Sequence, residues 1–405
     1  MSVEITQKTP AHPRDWSGGI DSYLEEHQIA CSKVTALSGG LSGWVWRLDG
    51  WSGGGEKDDD DDSRPQDKTT SRACRRRAGE PAILKCADGM AKLAPVPLEA
   101  ERLRLEIKAL RSPAVAEACR REPSVGVPRV LKETRRGYLM SFGGEMDLRV
   151  AYKEGKVPDP AAVGTRLGKW LAHMHLAGRG AAADREDGWA TRNDGVDTFI
   201  APGGLEEQAI RAAMGKAGSS PGEAQRAVDV LLRPPPVPTL TPWDFRPMNT
   251  LVRFRDDEDE PGAAPELTIV DWEFSHFGDP VYDLRLWAAE AMVMEAKFGK
   301  GKGKGKGKGK EEDDNGNQGG LLLSSFLRAY RTGTGNAIVD DQFVCKVAVT
   351  MAAFLLLFMP APFWDCVEED REPWVKLALQ YVKAGAEADM AWLRQSSLGP
   401  LLAEP

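Results

Sequence analysis

Asp244, Asn249 and Asp271 are the residues of this 405-residue chain whose types and spacing best suit chemistry. Two of them fall in Thr241-Pro242-Trp243-Asp244-Phe245-Arg246-Pro247-Met248-Asn249-Thr250-Leu251-Val252. The third follows a polar connection at 256–261, in Leu267-Thr268-Ile269-Val270-Asp271-Trp272-Glu273. Leu251-Val252-Arg253 and Thr268-Ile269-Val270 read as paired strands, which sets Asn249 and Asp271 at adjacent strand ends. An amide and a carboxylate side by side offer oxygen ligands to a hard cation such as magnesium. Asp244, five residues before Asn249, projects from the preceding loop toward the same point. A carboxylate there can accept a hydroxyl proton while metal ions neutralise charge on a transferring phosphoryl group.

The order D-x-x-x-x-N, strand, turn, strand, D resembles the catalytic core of the aminoglycoside phosphotransferase family and, more loosely, that of methylthioribose kinase and the protein kinases. The resemblance implies an α+β, protein kinase-like fold, with a small mixed β-rich lobe and a larger, mostly helical one. It also implies ATP and Mg2+ as cofactors and transfer of the γ-phosphoryl group to a hydroxyl of a small molecule. On it Asp244 matches the catalytic aspartate, Asn249 the metal-binding asparagine and Asp271 the metal-binding aspartate. Phe274-Ser275-His276-Phe277-Gly278-Asp279-Pro280-Val281-Tyr282-Asp283-Leu284 resembles the family's G-x-P-x-x-D-L run into the next helix. No activation segment separates Asp271 from that helix, and the sequence has no G-x-x-x-x-G-K-[ST] loop. A small-molecule kinase is therefore favoured over a protein kinase or a P-loop enzyme.

The remaining parts of such an enzyme occur upstream in the required order. Leu37-Ser38-Gly39-Gly40-Leu41-Ser42-Gly43-Trp44 looks like a strand-turn-strand glycine loop, in which Gly39, Gly40, Ser42 and Gly43 let backbone N–H groups approach phosphates. Lys85 closes the apolar strand Ala82-Ile83-Leu84, where its ammonium reaches the α and β phosphates. Glu106, 21 residues later on a helix-like stretch, resembles the family's helix glutamate that pairs with this lysine, and Glu101 competes for the part. Tyr138-Leu139-Met140-Ser141-Phe142-Gly143-Gly144 reads as a strand entering the interlobe linker, whose backbone at Ser141 and Phe142 is expected to meet adenine. Leu167-Gly168-Lys169-Trp170-Leu171-Ala172-His173-Met174-His175 resembles a family helix ending in L-H. Its histidines lie two apart, so they cannot share a helical face as metal ligands, and they read as structural.

One departure stands at the centre of the motif. The family usually has His-Gly-Asp at the catalytic loop, and this chain has Pro242-Trp243-Asp244. In related kinases the histidine supports the loop by packing and hydrogen bonding, so the Pro-Trp pair is expected to fill that volume by other means. The altered loop and two charged inserts motivate an alternative, a nucleotide-binding pseudokinase acting as an interaction module. The joint presence of Asp244, Asn249, Asp271, Lys85 and Glu106 argues for the enzyme. Arg246, two residues after Asp244, is expected to turn into the cleft and donate to the transferring phosphoryl oxygens. Its other reading is a loop arginine paired with a nearby carboxylate.

The elements that position these residues follow from patterning. Strand-like segments before about residue 140 give way to helical ones, with Val163, Leu167, Trp170, Leu171 and Met174 at helical spacing and a later helix at Leu284, Leu286, Trp287 and Met292. The expected lobes are 1–140 and 141–405. Two stretches lack apolar periodicity and read as solvated inserts: about 53–79, with five successive aspartates, and about 299–320, with an alternating Lys/Gly tract. A net charge of −8 argues against whole-surface attraction to nucleic acid or anionic membrane. The six cysteines are scattered without a C-x-x-C pair, which suggests neither zinc nor a disulfide framework and fits a reducing compartment. The longest apolar run, 347–359, is short for a bilayer span and reads as a buried helix of a cytoplasmic protein. A small hydroxylated substrate is the partner these features imply, and no protein partner is inferable.

Overall fold

Trp44, Trp46 and Leu48 alternate with Val45, Arg47 and Asp49, and the strand they form buries the first set and half-buries the second. The structure, a computed structural model, describes residues 12–13, 16, 18–37, 43–51, 79–90, 92, 101–179, 194–254, 264–299, 321–359 and 364–404. Both charged inserts fall outside these residues, apart from their outermost positions, as does the connection at 255–263. Gly39, Gly40 and Ser42 of the glycine loop lie outside them too.

The chain begins with α1 (Gly19–Glu26), β1 (Lys33–Ala36), β2 (Trp44–Asp49), β3 (Ala82–Cys86), α2 (Arg102–Leu110), α3 (Pro113–Arg121), β4 (Val125–Gly126), β5 (Val130–Thr134) and β6 (Gly137–Ser141). Five of these strands make one antiparallel sheet in the order β1-β2-β3-β6-β5. β3 and β6 are buried at every position because both faces of the sheet are covered. Tyr23 and Leu24 of α1 pack with Trp44, Trp46 and Leu84 on one side. Leu103 and Ile107 of α2 join the cluster containing Ile83 and Tyr138 on the other.

Beyond the linker come β7 (Met146–Asp147), α4 (Leu148–Lys153), α5 (Pro160–Gly178), α6 (Asp194–Ile200), α7 (Leu205–Lys216), α8 (Pro221–Leu231), β8 (Thr239–Thr241), β9 (Thr250–Arg253), β10 (Glu266–Ile269) and β11 (His276–Gly278). Four helices close the chain: α9 (Val281–Phe298), α10 (Leu321–Thr334), α11 (Asp341–Phe358) and α12 (Arg371–Glu387), followed by the short α13 (Met390–Gln395). The β9–β10 hairpin expected from sequence is present, with Ile269 opposite Thr250 and Thr268 opposite Leu251. β4 and β7 extend it into a four-stranded sheet, and β8 pairs with β11. This is the α+β, two-lobed arrangement of the kinase-like fold.

α5 is the spine of the helical part. Asp159 caps it by accepting from the Ala162 N–H at 2.9 Å, and Pro160 occupies its first turn. Gly164 and Gly168 let α10 approach closely: a Cβ on either would lie 2.2 Å from a carbonyl oxygen, of Leu322 and Phe326 respectively. α11 is long and apolar enough to cross a membrane, yet its residues 343–355 are all buried against other helices of the protein. The linker is held to the hairpin by Gly144, whose φ of 155° and whose approach to the Val252 carbonyl, 2.6 Å from a notional Cβ, exclude a side chain.

Candidate active site

The loop between β8 and β9 alternates anchors with polar side chains. Trp243 and Phe245 are buried, whereas Asp244 and Arg246 each keep 16% of their side-chain surface accessible. Phe245 stacks on Trp170 of α5 at 6.2 Å and lies 5.4 Å from the Trp287 ring of α9. Past Pro247 a single 3-10 turn closes with the Asn249 N–H donating to the Arg246 carbonyl at 3.0 Å. That turn folds the Asn249 side chain back, so its Nδ2 donates to Asp244 Oδ2 at 2.7 Å and to the Asp244 carbonyl at 3.0 Å. The Asn249 carbonyl accepts from the Val270 N–H at 2.9 Å, which brings Asp271 alongside.

Asp271 has φ of 67°, in the left-handed region that aspartate tolerates better than most residues. The next residue, Trp272, is fully buried, donates its Nε1–H to the Ile269 carbonyl at 3.0 Å and meets Trp170 edge-on at 6.0 Å. One indole on α5 thus supports both Phe245, beside Asp244, and Trp272, beside Asp271. Each such aromatic pair contributes about 0.5–1.5 kcal/mol beyond area burial.

Lys85 comes to this point from β3, 186 residues away in sequence, and donates from Nζ to Asp271 Oδ1 at 2.6 Å. Glu106 Oε2 of α2 lies 2.8 Å from the same ammonium and Glu273 Oε2 lies 3.6 Å from it. Glu106 Oε1 also accepts from the Trp272 N–H at 3.1 Å, so one carboxylate ties α2 to both the lysine and the Asp271 segment. Burial alone would weaken the charge on Lys85, but Asp271, Glu106 and Glu273 raise its pKa well above the usual value. Burial likewise raises Glu106, against the pull of Lys85. Of the two sequence candidates, Glu106 is the one at the lysine, and Glu101 pairs on the surface with Arg104 at 2.9 Å.

The substituted loop has its own supports. Trp243 has φ of 65°, a left-handed conformation costing a bulky residue about 1–3 kcal/mol. Its N–H donates to Asp283 Oδ1 at 2.8 Å. Asp283 Oδ2 lies 2.9 Å from His175 Nε2, and His175 Nδ1 lies 2.8 Å from the Tyr330 hydroxyl, all fully buried. The Trp243 ring packs 5.6 Å from Phe274 and 5.8 Å from Phe199 of α6, with the Arg285 guanidinium 5.5 Å from its centroid. His175, expected to be structural, is so: it bonds Asp283 and Tyr330.

Two expectations meet a different local geometry. The Arg246 guanidinium is paired with Glu290 of α9 through Nη2, and its Nη1 lies 3.5 Å from Asp244 Oδ1. It therefore matches the carboxylate-paired reading rather than the cleft-facing one, because a fully buried acid claims its charge. At the linker, the Ser141 N–H donates to the Arg129 carbonyl at 2.9 Å and the Phe142 carbonyl accepts from Arg253, so these main-chain groups are already engaged within the protein. Gly43 immediately precedes Trp44, whose partner in the β2–β3 register is Cys86.

Sequence reasoning left four contributors without a role. Glu273 and Arg102 pair at 3.3 Å, adding a second link between α2 and the Asp271 segment. Asp283 lay inside the G-x-P-x-x-D-L run, and its signal was a carboxylate in the first turn of a mostly apolar helix. Glu290 carried the clearest signal, a lone acid in Leu286-Trp287-Ala288-Ala289-Glu290-Ala291-Met292. Burial raises its pKa to about 7, with Arg246 opposing. Burial also raises Asp244, with Arg246 and Asn249 opposing and Asp271 reinforcing.

No curated protein matches the chain. Among solved structures it is similar to wild-type aminoglycoside 2'-phosphotransferase-IIIa in its GDP complex, at 12% identity and a TM-score of 0.44, with 91% of this chain and 98% of that one covered. It is similar to choline kinase from Cryptosporidium parvum at 10% identity and 0.42, with 96% of both chains covered. A glucosamine kinase in complex with glucosamine, ADP and inorganic phosphate gives 16% and 0.39, over 80% and 78% of the two chains. These likenesses are loose, every TM-score lying below 0.5. The sequence match is the firmer finding: residues 88–304, more than half of the chain, match the phosphotransferase enzyme family. The chain belongs to that family of phosphotransferases.

Proposed function

We propose that the protein transfers the γ-phosphoryl group of ATP, with Mg2+, to a hydroxyl of a small molecule, using Asp244 as general base. The observation that carries this reading is the convergence of Lys85, Glu106 and Asp271 in direct contact with the bonded pair Asn249 and Asp244 alongside, linked by the Val270 N–H to the Asn249 carbonyl. Asp244 would take the acceptor proton on a carboxylate oxygen as the acceptor oxygen bonds to phosphorus and the bond to the leaving phosphate oxygen breaks. Burial makes it a stronger base than a solvated aspartate, and Asn249 fixes its orientation.

The donor chemistry fits a hard cation. Asp271 and Asn249 carry oxygen donors, and ligand atoms of Glu106, Asp271 and Glu273 lie within 4.8 Å of one another. Asn249 and Asp271 would hold magnesium, which would supply neutralisation of phosphate charge. Lys85, oriented by Glu106, would hold the α and β phosphates. The linker backbone at Ser141 and Phe142 would meet adenine, beside the bonds from the Ser141 N–H to the Arg129 carbonyl and from Arg253 to the Phe142 carbonyl. The pseudokinase reading, motivated by the altered loop and the two charged inserts, is not favoured, since that loop keeps Asp244 bonded to Asn249.

The test is turnover of magnesium-ATP against sugars, amino alcohols, choline-like alcohols and aminoglycosides, in parent and Asp244→Asn. Turnover in the variant should fall by roughly 10²-fold or more at preserved ATP affinity. Parental turnover by Asp244→Asn on the accepted substrate would remove the base from the mechanism.

A further inference from the structure

Arg285 of α9 is buried, and its charge is met by one carboxylate and two aromatic rings. Nη1 donates to Glu206 Oε1 of α7, and Glu206 is buried as well. The guanidinium carbon lies 5.5 Å from the Trp243 ring centroid and 4.7 Å from that of Tyr282. The pair is incompletely satisfied: Glu206 Oε2 and Arg285 Nε are buried and have no hydrogen-bond partner among the described residues. The other cation facing Glu206, Lys346 of α11, is engaged by Asp279 Oδ2 at 2.5 Å and by the Arg233 carbonyl. A buried ion pair with orphaned atoms returns little net stability against the desolvation of both charges, and apolar residues of similar volume would fill the site as well. Stability alone does not account for it. Its place in the fold does: Trp243, against which Arg285 lies, immediately precedes Asp244 and has φ of 65°. α9 holds that residue twice, by its backbone through Asp283 and by its ring through Arg285.

We propose that Arg285 is a positioning residue for the reaction, seated by Glu206: its guanidinium pins the Trp243 ring and so keeps the left-handed backbone that presents Asp244. The proposal rests on the reading of Asp244 as the base. Tryptophan is strained at φ of 65°, and relaxation toward negative φ turns the chain that carries Asp244. The planar guanidinium opposes that turn by lying over the indole, an attraction that strengthens away from water. Glu206 supplies the counter-charge that keeps Arg285 there, and without it the guanidinium is drawn toward another acid or toward solvent. Glu206 stands in the first turn of α7, so the helices between α5 and β8 take part in shaping the catalytic loop.

Hydrogen–deuterium exchange on the ligand-free full chain reads this directly. Replacing both partners by apolar residues, Glu206→Leu with Arg285→Met, should keep the melting temperature within about 4 °C of the parent. Amide exchange over residues 243–248 should nevertheless rise by roughly tenfold or more, while exchange in α7 and α9 stays within about twofold. Unchanged loop exchange, or a rise of equal size throughout α7 and α9, overturns the proposal. Should the double variant fail to fold, Arg285→Lys, which keeps the charge for Glu206 but gives up the planar contact with Trp243, carries the same comparison. Magnesium-ATP hydrolysis, with water as acceptor, gives the second arm: Arg285→Lys should lower turnover by roughly fivefold or more with KM for ATP within about twofold. In a Trp243→Gly background, where glycine takes this φ without strain, Arg285→Lys should change turnover by less than about twofold. An equal fall in both backgrounds would mean that Arg285 does not act through Trp243, and it overturns the proposal. If Asp244→Asn retains hydrolysis, the base assignment itself fails. If Asp244→Asn is inactive while Arg285→Lys is parental, the positioning role alone fails.

Discussion

Replacing Asp283 by alanine should damage the catalytic loop without touching any group proposed to react. Asp283 is fully buried and holds two partners, the Trp243 N–H at 2.8 Å and His175 Nε2 at 2.9 Å. Burial pushes its pKa up while His175 and the Trp243 N–H pull it down, so the carboxylate depends on both bonds to carry its charge. Alanine strands two buried polar groups at once. Hydrogen bonds to a charged group are worth about 1.5–3 kcal/mol each, and the loss of two sets the expected cost at about 3–6 kcal/mol. The same bond restrains Trp243 at φ of 65°, a conformation costing about 1–3 kcal/mol, so its removal lets the loop relax and shifts Asp244. Urea denaturation followed by tryptophan fluorescence measures the first effect, and magnesium-ATP turnover well below the melting transition measures the second. Turnover should fall by roughly 10-fold or more, as displacements of this kind do. Asp283→Asn keeps an acceptor for Trp243 and should lose only about 1–2 kcal/mol. A stability within about 1 kcal/mol of the parent for Asp283→Ala, or an undiminished turnover, would refute the argument that this carboxylate holds the loop.

Other perturbations follow from the same geometry. Lys85→Met leaves Glu106, Asp271 and Glu273 clustered without their ammonium, and calorimetry should show magnesium-ATP binding weakened by roughly tenfold or more; equal affinity would detach Lys85 from the nucleotide. Asp271→Ala should likewise weaken magnesium-ATP binding, and parental affinity there would refute the metal assignment. Glu290 has a folded-state pKa of about 7 against roughly 4.3 unfolded, so the native state binds its proton more tightly. Its contribution is therefore full below about pH 4 and lost as pH rises through 7, and the parent should lose roughly 3 kcal/mol relative to Glu290→Gln between about pH 5 and 8.5. A stability difference that stays flat with pH would contradict this. Gly144→Ala places a methyl 2.6 Å from the Val252 carbonyl at φ of 155° and should cost about 2 kcal/mol or more by denaturation; a neutral substitution would mean that the linker does not press on the hairpin.

What was legible in the sequence was whatever repeats at short range. The β9–β10 pairing follows from two apolar triplets around a polar turn, and α5 and α9 follow from apolar residues at helical spacing. The composite of Asp244, Asn249 and Asp271 was legible because one hairpin sets two of them and a five-residue loop sets the third. Glu106 could be narrowed but not chosen from spacing, because Glu101 has the same chemistry; burial of one and exposure of the other decide it. The fate of Arg246 was not legible. Its choice between cleft and carboxylate depends on Glu290, which lies 44 residues downstream and reaches it only when α9 packs under the loop. The linker contacts were hidden for the same reason, since Arg253 comes to Phe142 from a different strand.

Pro242-Trp243 stands where the resemblance leads one to expect His-Gly, and the loop is held by supports of its own. A glycine would adopt φ of 65° without strain, whereas tryptophan does so only if something else holds it there. Two independent supports do that. The backbone is fixed by Asp283, itself oriented by His175 and through it by Tyr330. The side chain is fixed by Phe199, Phe274 and Arg285, and burying so large a ring is worth several kcal/mol, about 3–5 when truncated to alanine, which exceeds the strain. The exchange has a structural consequence, because Trp243 now joins α6, through Phe199, to the residue immediately before Asp244. A motion of α6 in this chain would reach the catalytic loop through a packed ring, a route that a glycine at the same position could not provide.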